Sequence, residues 1–409
     1  MKKIKLRSKE WFDNPKDPGL TAIYLERYLN YGLKRKDLQS GKPIIGIAQS
    51  GSDLSPCNRH ILDLSKNIKK GIVNAGGVPM EFPTHPIQET GKRPTAALDR
   101  NLSYLSLVEV LYGYPLDGVV LTTGCDKTTP AALMAAATVN IPSIILSGGP
   151  MLDGHYKGQK AGSGTIIWEA RKLYSKGEID YDQFMDMATA SSPSVGHCNT
   201  MGTASTMNSI AEALGMSLPG CAIIPAPYPE RKKISYKTGQ RIVNMVRENL
   251  TPSKIMTKKA FENAVVVASA IGGSSNATTH LLAIAKHMGI KFDLSNWQKL
   301  GHKIPLLVDC QPAGKYLMEG FYKAGGIPAV MKELIKNKKL NTKVKTVTGK
   351  NLGENLKSKI KVNSKVIKTF KKNLSQNAGF LVLRGNFFNS AIMKTSVISD
   401  EFKKRYLSD

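Results

Sequence analysis

Asp117-Gly118-Val119-Val120-Leu121-Thr122-Thr123-Gly124-Cys125-Asp126-Lys127-Thr128-Thr129-Pro130 decides the fold of this 409-residue chain. A short valine- and leucine-rich run stops at Gly124, and a thiol, a carboxylate and an amine follow on consecutive residues. Thr128, Thr129 and Pro130 supply capping and first-turn chemistry for a helix through Ala131–Ala137. The stretch therefore reads as a buried parallel strand, a tight turn and a helix. In open α/β sheets, ligands bind just beyond the carboxyl ends of such strands. Either this is an ordinary βα turn with a buried cysteine and a surface Asp-Lys pair, or three metal-competent side chains mark a site.

Upstream the same grammar repeats. Residues 43–50 read as a strand, and Gly51-Ser52-Asp53-Leu54-Ser55-Pro56-Cys57-Asn58 then opens a helix from about His60 to Ala75. A second strand in 76–82 leads to a polar loop over 85–94. A helix with Arg100 and Asn101 near its start follows, then the strand at Gly118, and the next strand lies in 141–150. Short β-rich runs alternating with helical segments predict a doubly wound α/β sheet.

Downstream, Gly196-His197-Cys198-Asn199-Thr200 is a third cysteine-bearing turn before a helix from about Ala204 to Leu214. A helix from Phe261, the turn Gly272-Gly273-Ser274-Ser275-Asn276, and a helix through His280 and His287 come next. Ile304–Asp309 reads as a strand. The lysine-rich stretch Lys332–Lys372 reads as a boundary, giving an α/β region over 1–372. Residues 373–409 read as the start of a β-type domain, with strands in 379–384 and 390–394. That domain barely begins before Asp409, and some thirty residues are too few to bury a core of their own.

The formal charge of +27 raises the question of nucleic acid. Much of the excess lies in Lys332–Lys372, where lysine is mixed with Asn and Ser and the arginine forks and stacking aromatics of nucleic-acid readers are sparse. A solvated lysine face is the better reading, and no nucleic-acid partner is expected. No apolar run approaches the roughly 20 residues of a membrane span. The basic start lacks an apolar segment and cleavage site, so a cytoplasmic chain is expected.

Five cysteines in so long a chain are too few for a disulfide scaffold; in a reducing compartment they point to metal ligation or catalysis. Cys57, Cys125 and Cys198 each sit in a Gly/Ser/Pro turn entering a helix, a setting that favours thiolate. Three converging thiolates suit an iron–sulfur cluster with one iron lacking a protein thiolate, free to act as a Lewis acid. Cys221 and Cys310 lack the pattern and read as structural. Asp126 and Glu89 are hard-oxygen ligands suited to Mg²⁺, although Glu89 alone also reads as a solvated loop residue. Lys127 either pairs with these carboxylates or, carbamylated by CO₂, becomes a metal-binding anion. His197 either hydrogen-bonds a substrate or is structural.

Taken together, the motifs around Cys57, around Cys125, around His197-Cys198 and at Gly272–Asn276 resemble the dehydratase family of dihydroxy-acid, phosphogluconate and sugar-acid dehydratases. The likeness runs over essentially the whole chain, with Ser275 where the family usually has threonine. His197–Thr200 and Glu89–Asn101 are similar to the sugar-acid branch. The resemblance implies a [2Fe–2S] cluster on Cys57, Cys125 and Cys198, and Mg²⁺ held by Glu89, Asp126 and carbamylated Lys127. It implies dehydration of a sugar acid such as D-xylonate to a 2-keto-3-deoxy acid, and a homodimer or tetramer. It also implies a C-terminal β-barrel domain supplying a serine base and a further Mg²⁺-ligating glutamate, neither of which can be named in this sequence. A split enzyme, a non-catalytic remnant, and a dihydroxy-acid dehydratase of branched-chain amino-acid synthesis are the alternatives.

Overall fold

The computed structural model describes residues 5–89 and 96–407. Thr90–Thr95, part of the stretch similar to the sugar-acid branch, lies outside the described residues.

Four parallel strands form the central sheet: β1 (Ile44–Gln49), β2 (Val78–Pro83), β3 (Gly118–Thr123) and β4 (Ser143–Ser147). Their order is β2-β1-β3-β4. Every residue of β1, β3 and β4 is buried, as expected of parallel strands covered on both faces, so their sequences run apolar without alternation. Helix α1 (Pro18–Leu29) belongs to the N-terminal arm. Ahead of it, Ser8 anchors the arm to the sheet: its Oγ and main-chain N–H donate to Asp117, 2.7 and 3.1 Å away.

The crossover helices are α2 (Ile61–Asn74), α3 (Ala97–Gly113) and α4 (Thr128–Val139). Buried Ile61, Leu64, Ser65, Ile68, Gly71 and Ile72 form the single apolar stripe of α2, the spacing of a helix laid on a sheet. Helix α4 is alanine-rich and almost wholly buried, and it stops at Asn140, whose left-handed conformation (φ 55°) caps it. After α4 come α5 (Thr165–Ser175), α6 (Tyr181–Thr189), α7 (Thr203–Ala213) and α8 (Pro229–Arg247). Helices α2 and α8 pack on each other and against the sheet, while α4 packs against β3 and β4 and carries α3 on its outer side. The doubly wound α/β sheet expected from the sequence is therefore present.

Chain reversal across the sheet falls between β1 and β3, because the chain leaves β1 toward β2 and then crosses back to the other side of β1. That is the topological switch point, where α/β folds open a crevice at the strands' carboxyl ends.

The α2–α8 contact is unusually close. A Cβ on Gly71 would overlap the Tyr236 carbonyl, and one on Gly239 would overlap the Ile68 carbonyl. Backbone cannot swing aside as a side chain can, so Gly71→Ala must force the helices apart. Overpacking of this kind costs about 1–3 kcal/mol, more than the roughly 1 kcal/mol that alanine adds to an α-helix. Urea denaturation should show a lower midpoint for Gly71→Ala; an unchanged or higher midpoint would contradict this packing account.

A small antiparallel hairpin, β5 (Gly154–Tyr156) with β6 (Gln159–Ala161), turns through Lys157 (φ 46°) and Gly158 (φ 79°). Positive φ at both positions is the type I′ pattern, one of the two-residue turns whose twist matches right-twisted strands. With α5 and α6 it builds a satellite core on Ala161, Ile166, Ala170 and Met187.

Helices α9 (Lys258–Ala270), α10 (Asn276–His287) and α11 (Leu294–Gly301) follow. The strand expected at Ile304–Asp309 does not form. Leu306 and Val308 make single bridges to Ser375 and Ile367; Pro305 removes a donor and the partners change within two residues, so no ladder propagates. The lysine-rich stretch is folded chain. Leu334, Leu340, Val344, Val347, Leu352, Leu356, Val366 and Ile367 are buried in the main core, as is Phe380 beyond it. Strands β7 (Phe380–Leu383) and β8 (Ala391–Lys394) pair antiparallel where two strands were expected. Phe380 meets Trp297 of α11 edge-on, with ring centres 5.0 Å apart. Among the described residues no helix is long and apolar enough to cross a membrane.

Candidate active site

Cys57 follows β1 and Cys125 follows β3, so the two strands that flank the switch point each deliver a thiol to the crevice. The turn after β3 is shaped locally. Thr128 Oγ1 accepts from Gly124 N–H (3.0 Å) and donates to the Cys125 carbonyl (2.8 Å). Asn58 then locks the two turns together: its Oδ1 accepts from Cys125 N–H at 2.8 Å and its Nδ2 lies 3.3 Å from Ser50 Oγ. A Cβ at Gly124 would collide with the Asn58 amide, which is why glycine ends β3.

Cys198 arrives from a third direction. The loop before α7 is pinned to the turn after β4: His197 N–H donates to Gly149 O (3.0 Å) and Met151 N–H donates to His197 O (2.9 Å). The Cys57 thiol hydrogen-bonds the Cys125 sulfur, which pushes Cys57 up and holds Cys125 down toward thiolate. Main-chain N–H groups of Glu89 and Asp126 also favour the Cys125 thiolate. Burial pushes Cys198 up to about 12, with Asp126 and Cys125 adding to it and the Ser163 hydroxyl opposing. The three thiols singled out by their turns are therefore neighbours.

On the other side of Cys125, burial raises the Asp126 carboxyl, the Lys127 charge opposes it, and Glu89 raises it further. The Ala204 N–H, in the first turn of α7, hydrogen-bonds Asp126, adding the positive end of that helix to the carboxylate. Lys127 is only 3% exposed. Its ammonium lies 3.1 Å from Glu89 Oε2, yet that buried oxygen has no donor aligned on it as a hydrogen bond. We take the contact as a close charge pair in which Glu89 keeps an unused lone pair.

His197 is fully buried. Its Nδ1 is 3.0 Å from the Cys198 carbonyl and its Nε2 is 3.3 Å from Asn208 Nδ2. The carbonyl accepts from Nδ1–H and Nε2 accepts from the amide, so both ring nitrogens are engaged by protein. Burial lowers the ring to about 3, so it is neutral. Behind it, Asn208 accepts from Thr123 Oγ1 (3.0 Å) and Thr129 Oγ1 (2.9 Å), and its Nδ2 contacts Gly124 O (3.3 Å). One amide thus joins the turn after β3, the start of α4 and the Cys198 loop.

A second tie has no counterpart in the sequence reading. Arg231 of α8 is fully buried, and its Nη1 donates to Ser147 O (2.6 Å) and Cys221 O (2.9 Å) while Nη2 donates to Ile224 O. It closes the end of β4, where His60 also reaches Gly148 O at 2.8 Å. Cys221 and Cys310, set aside as structural, are both buried.

The donor sets fit the two groups that the resemblance implies. Three clustered thiols, one already favoured as thiolate, suit a cluster. Glu89 with a spare buried oxygen, next to Asp126 and Lys127, suits a hard cation. Among the described residues no three His, Cys, Asp or Glu side chains converge on a single-ion site.

The chain belongs to the dihydroxy-acid/6-phosphogluconate dehydratase family, whose N-terminal domain it matches over residues 42–355. It is 58% identical over 404 residues to a D-xylonate dehydratase of Caulobacter vibrioides, covering 99% of this chain and 68% of that protein. Over 396 residues it is 45% identical to an L-arabinonate dehydratase of Rhizobium leguminosarum bv. trifolii (97% and 68%). A dihydroxy-acid dehydratase of Caldanaerobacter subterraneus is 38% identical over 381 residues (92% and 68%).

Proposed function

We propose that the protein is a sugar-acid hydro-lyase that converts a pentonate such as D-xylonate or L-arabinonate to a 2-keto-3-deoxy acid. What supports this most is the grouping of Cys57, Cys125 and Cys198 at the switch point beside Glu89, Asp126 and Lys127. The identity to the two sugar-acid dehydratases, higher than to the dihydroxy-acid dehydratase, favours the substrate class. In the net reaction a C2 proton and the C3 hydroxyl leave as water, and the resulting enol tautomerises to the keto acid.

In this reading Cys57, Cys125 and Cys198 hold a [2Fe–2S] cluster, and Glu89, Asp126 and carbamylated Lys127 hold Mg²⁺. When bound, the cluster would offer an open Lewis-acidic iron for a hydroxyl, and Mg²⁺ a hard cation for a carboxylate. The chain's own groups prepare the site. Main-chain N–H groups at Glu89 and Asp126 stabilise thiolate on Cys125, the Ala204 N–H fixes the Asp126 carboxylate, and Asn58 and Asn208 hold the three turns in register. His197 orients the Cys198 loop from behind, the structural one of the two roles read from the sequence.

The test is an anaerobic assay of the complete gene product, reconstituted with iron, sulfide and Mg²⁺ and offered D-xylonate, L-arabinonate and 2,3-dihydroxyisovalerate. A 2-keto-3-deoxy acid should form from one or both sugar acids at a kcat/KM at least about tenfold above that for the branched acid, a difference of about 1.4 kcal/mol in barrier. Preference for 2,3-dihydroxyisovalerate, or no turnover of any of the three by cluster-loaded protein, would overturn the assignment.

A further inference from the structure

Arg100 and His280 form a pair at the Lys127 end of the site to which nothing above gives a role. His280 lies in α10 and is 3% exposed, and its Nδ1 is 3.1 Å from Arg100 Nη1. A guanidinium only donates, so Nδ1 is the acceptor and the neutral ring carries its proton on Nε2. That Nε2 is buried and has no hydrogen-bond partner among the described residues. Buried donors are rarely left orphaned, and an orphan calls for a missing acceptor.

Lys127 stands at that end. Helix α10 packs against α4, and Lys127 is the N-cap of α4. Burial first, then the charges of Lys127 and Arg100, keep the ring neutral, so the Lys127 charge acts on it. A lysine ammonium only donates, as does a guanidinium. Arg100 donates through its other nitrogens to Asn101 Oδ1, and the buried Lys127 ammonium nearby has the Glu89 carboxylate as its close counter-charge. Among the described residues, His280 Nε2–H is the donor there that lacks an acceptor.

We propose that His280 Nε2–H is the donor that holds a carbamate on Lys127, with Arg100 as the positioning residue that fixes the His280 tautomer. The inference rests on the reading of Lys127 as a carbamylated metal ligand. The neutral Lys127 amine bonds to the carbon of CO₂ and releases one proton to solvent, leaving Nζ–H and an anionic carboxylate. A donor becomes an acceptor, and His280 Nε2–H gains a partner. The ring needs no change of charge for this role.

The experiment is CO₂ titration of the full chain, reconstituted with iron, sulfide and Mg²⁺, followed by direct ¹³C NMR with ¹³C-bicarbonate and by ¹⁵N NMR of labelled histidine. A carbamate resonance should appear that is missing from Lys127→Met, and the His280 Nε2–H signal of the unmodified chain should shift in step with it. Hydrogen bonds to charged groups are worth enough that His280→Phe should need roughly 10- to 100-fold more CO₂ for half-occupancy. His280→Gln, which keeps an N–H donor, should stay within about threefold of the unmodified chain. A carbamate that forms while the His280 signal stays still, or with the same CO₂ dependence in His280→Phe, overturns the role of His280 alone. Absence of any carbamate in the unmodified chain removes the reading of Lys127 itself, and this proposal with it.

Discussion

Replacing Cys125 by serine should abolish the visible absorbance of a reconstituted [2Fe–2S] cluster and reduce dehydration to background. Cys125 is the thiol through which the others meet: the Cys57 thiol donates to it, two main-chain N–H groups favour its thiolate, and Cys198 is raised by it. A serine hydroxyl ionises far above neutral pH and is a poor ligand for iron, so the substitution removes a ligand and the charge that the surrounding donors are arranged to receive. The fold should survive. The Cys125 main-chain N–H bond to Asn58 is untouched, and serine is close to isosteric, so unfolding of the metal-free protein should change by no more than about 1 kcal/mol. Cys310→Ser is the control: its sulfur lies 3.8 Å from the Leu317 carbonyl in a wholly different contact and its loss should leave the absorbance intact. Full absorbance in Cys125→Ser, or equal loss in both variants, would remove Cys125 from the cluster.

Arg231→Met should lower unfolding stability by about 3–5 kcal/mol, the cost of breaking one side of a buried polar arrangement. The guanidinium serves the carbonyls of Ser147, Cys221 and Ile224 from a fully buried position. Methionine fills much of the volume but donates nothing, so these acceptors stay inside the protein without their partner. The nearby Glu212, pushed by burial up to about 7 and supported by the Gly220 and Ala222 N–H groups, would lose a favourable charge as well. Urea denaturation followed by circular dichroism measures the change. A loss under about 1 kcal/mol would mean that the carbonyls find other donors and that the end of β4 does not depend on Arg231.

The strand–turn–helix modules were legible because their signals are local. A Val/Leu run, a glycine and a Thr-Thr-Pro start lie within about a dozen residues, and the structure follows them at β3 and α4 to within a residue or two. The chemistry of the three cysteine turns was legible for a similar reason, since each repeats a recognisable context. What stayed hidden was everything carried by distant pairs. Asn208 is an unremarked mid-helix residue until its amide is found against Gly124 and Thr123, more than eighty positions away. Arg231 reads as one more surface cation in the run Glu230-Arg231-Lys232-Lys233, although the fold buries it completely. Ile304–Asp309 has strand composition, but strands need a continuous partner, and composition says nothing about whether one exists.

The close α2–α8 contact also sets a schedule for synthesis. Helix α8 lies against β3 and β4, where a side chain at Gly118 would run into Val246. About eighty residues separate the end of β4 from the start of α8, so at roughly 5–20 residues per second a ribosome needs on the order of 4–16 s to produce the cover. During that interval the nascent sheet presents valine and isoleucine from strands already made, with its lid still unwritten. Slowing translation between Ser147 and Pro229 should therefore raise the share of chains captured by chaperones or lost to aggregates, whereas slowing it after Arg247 should not.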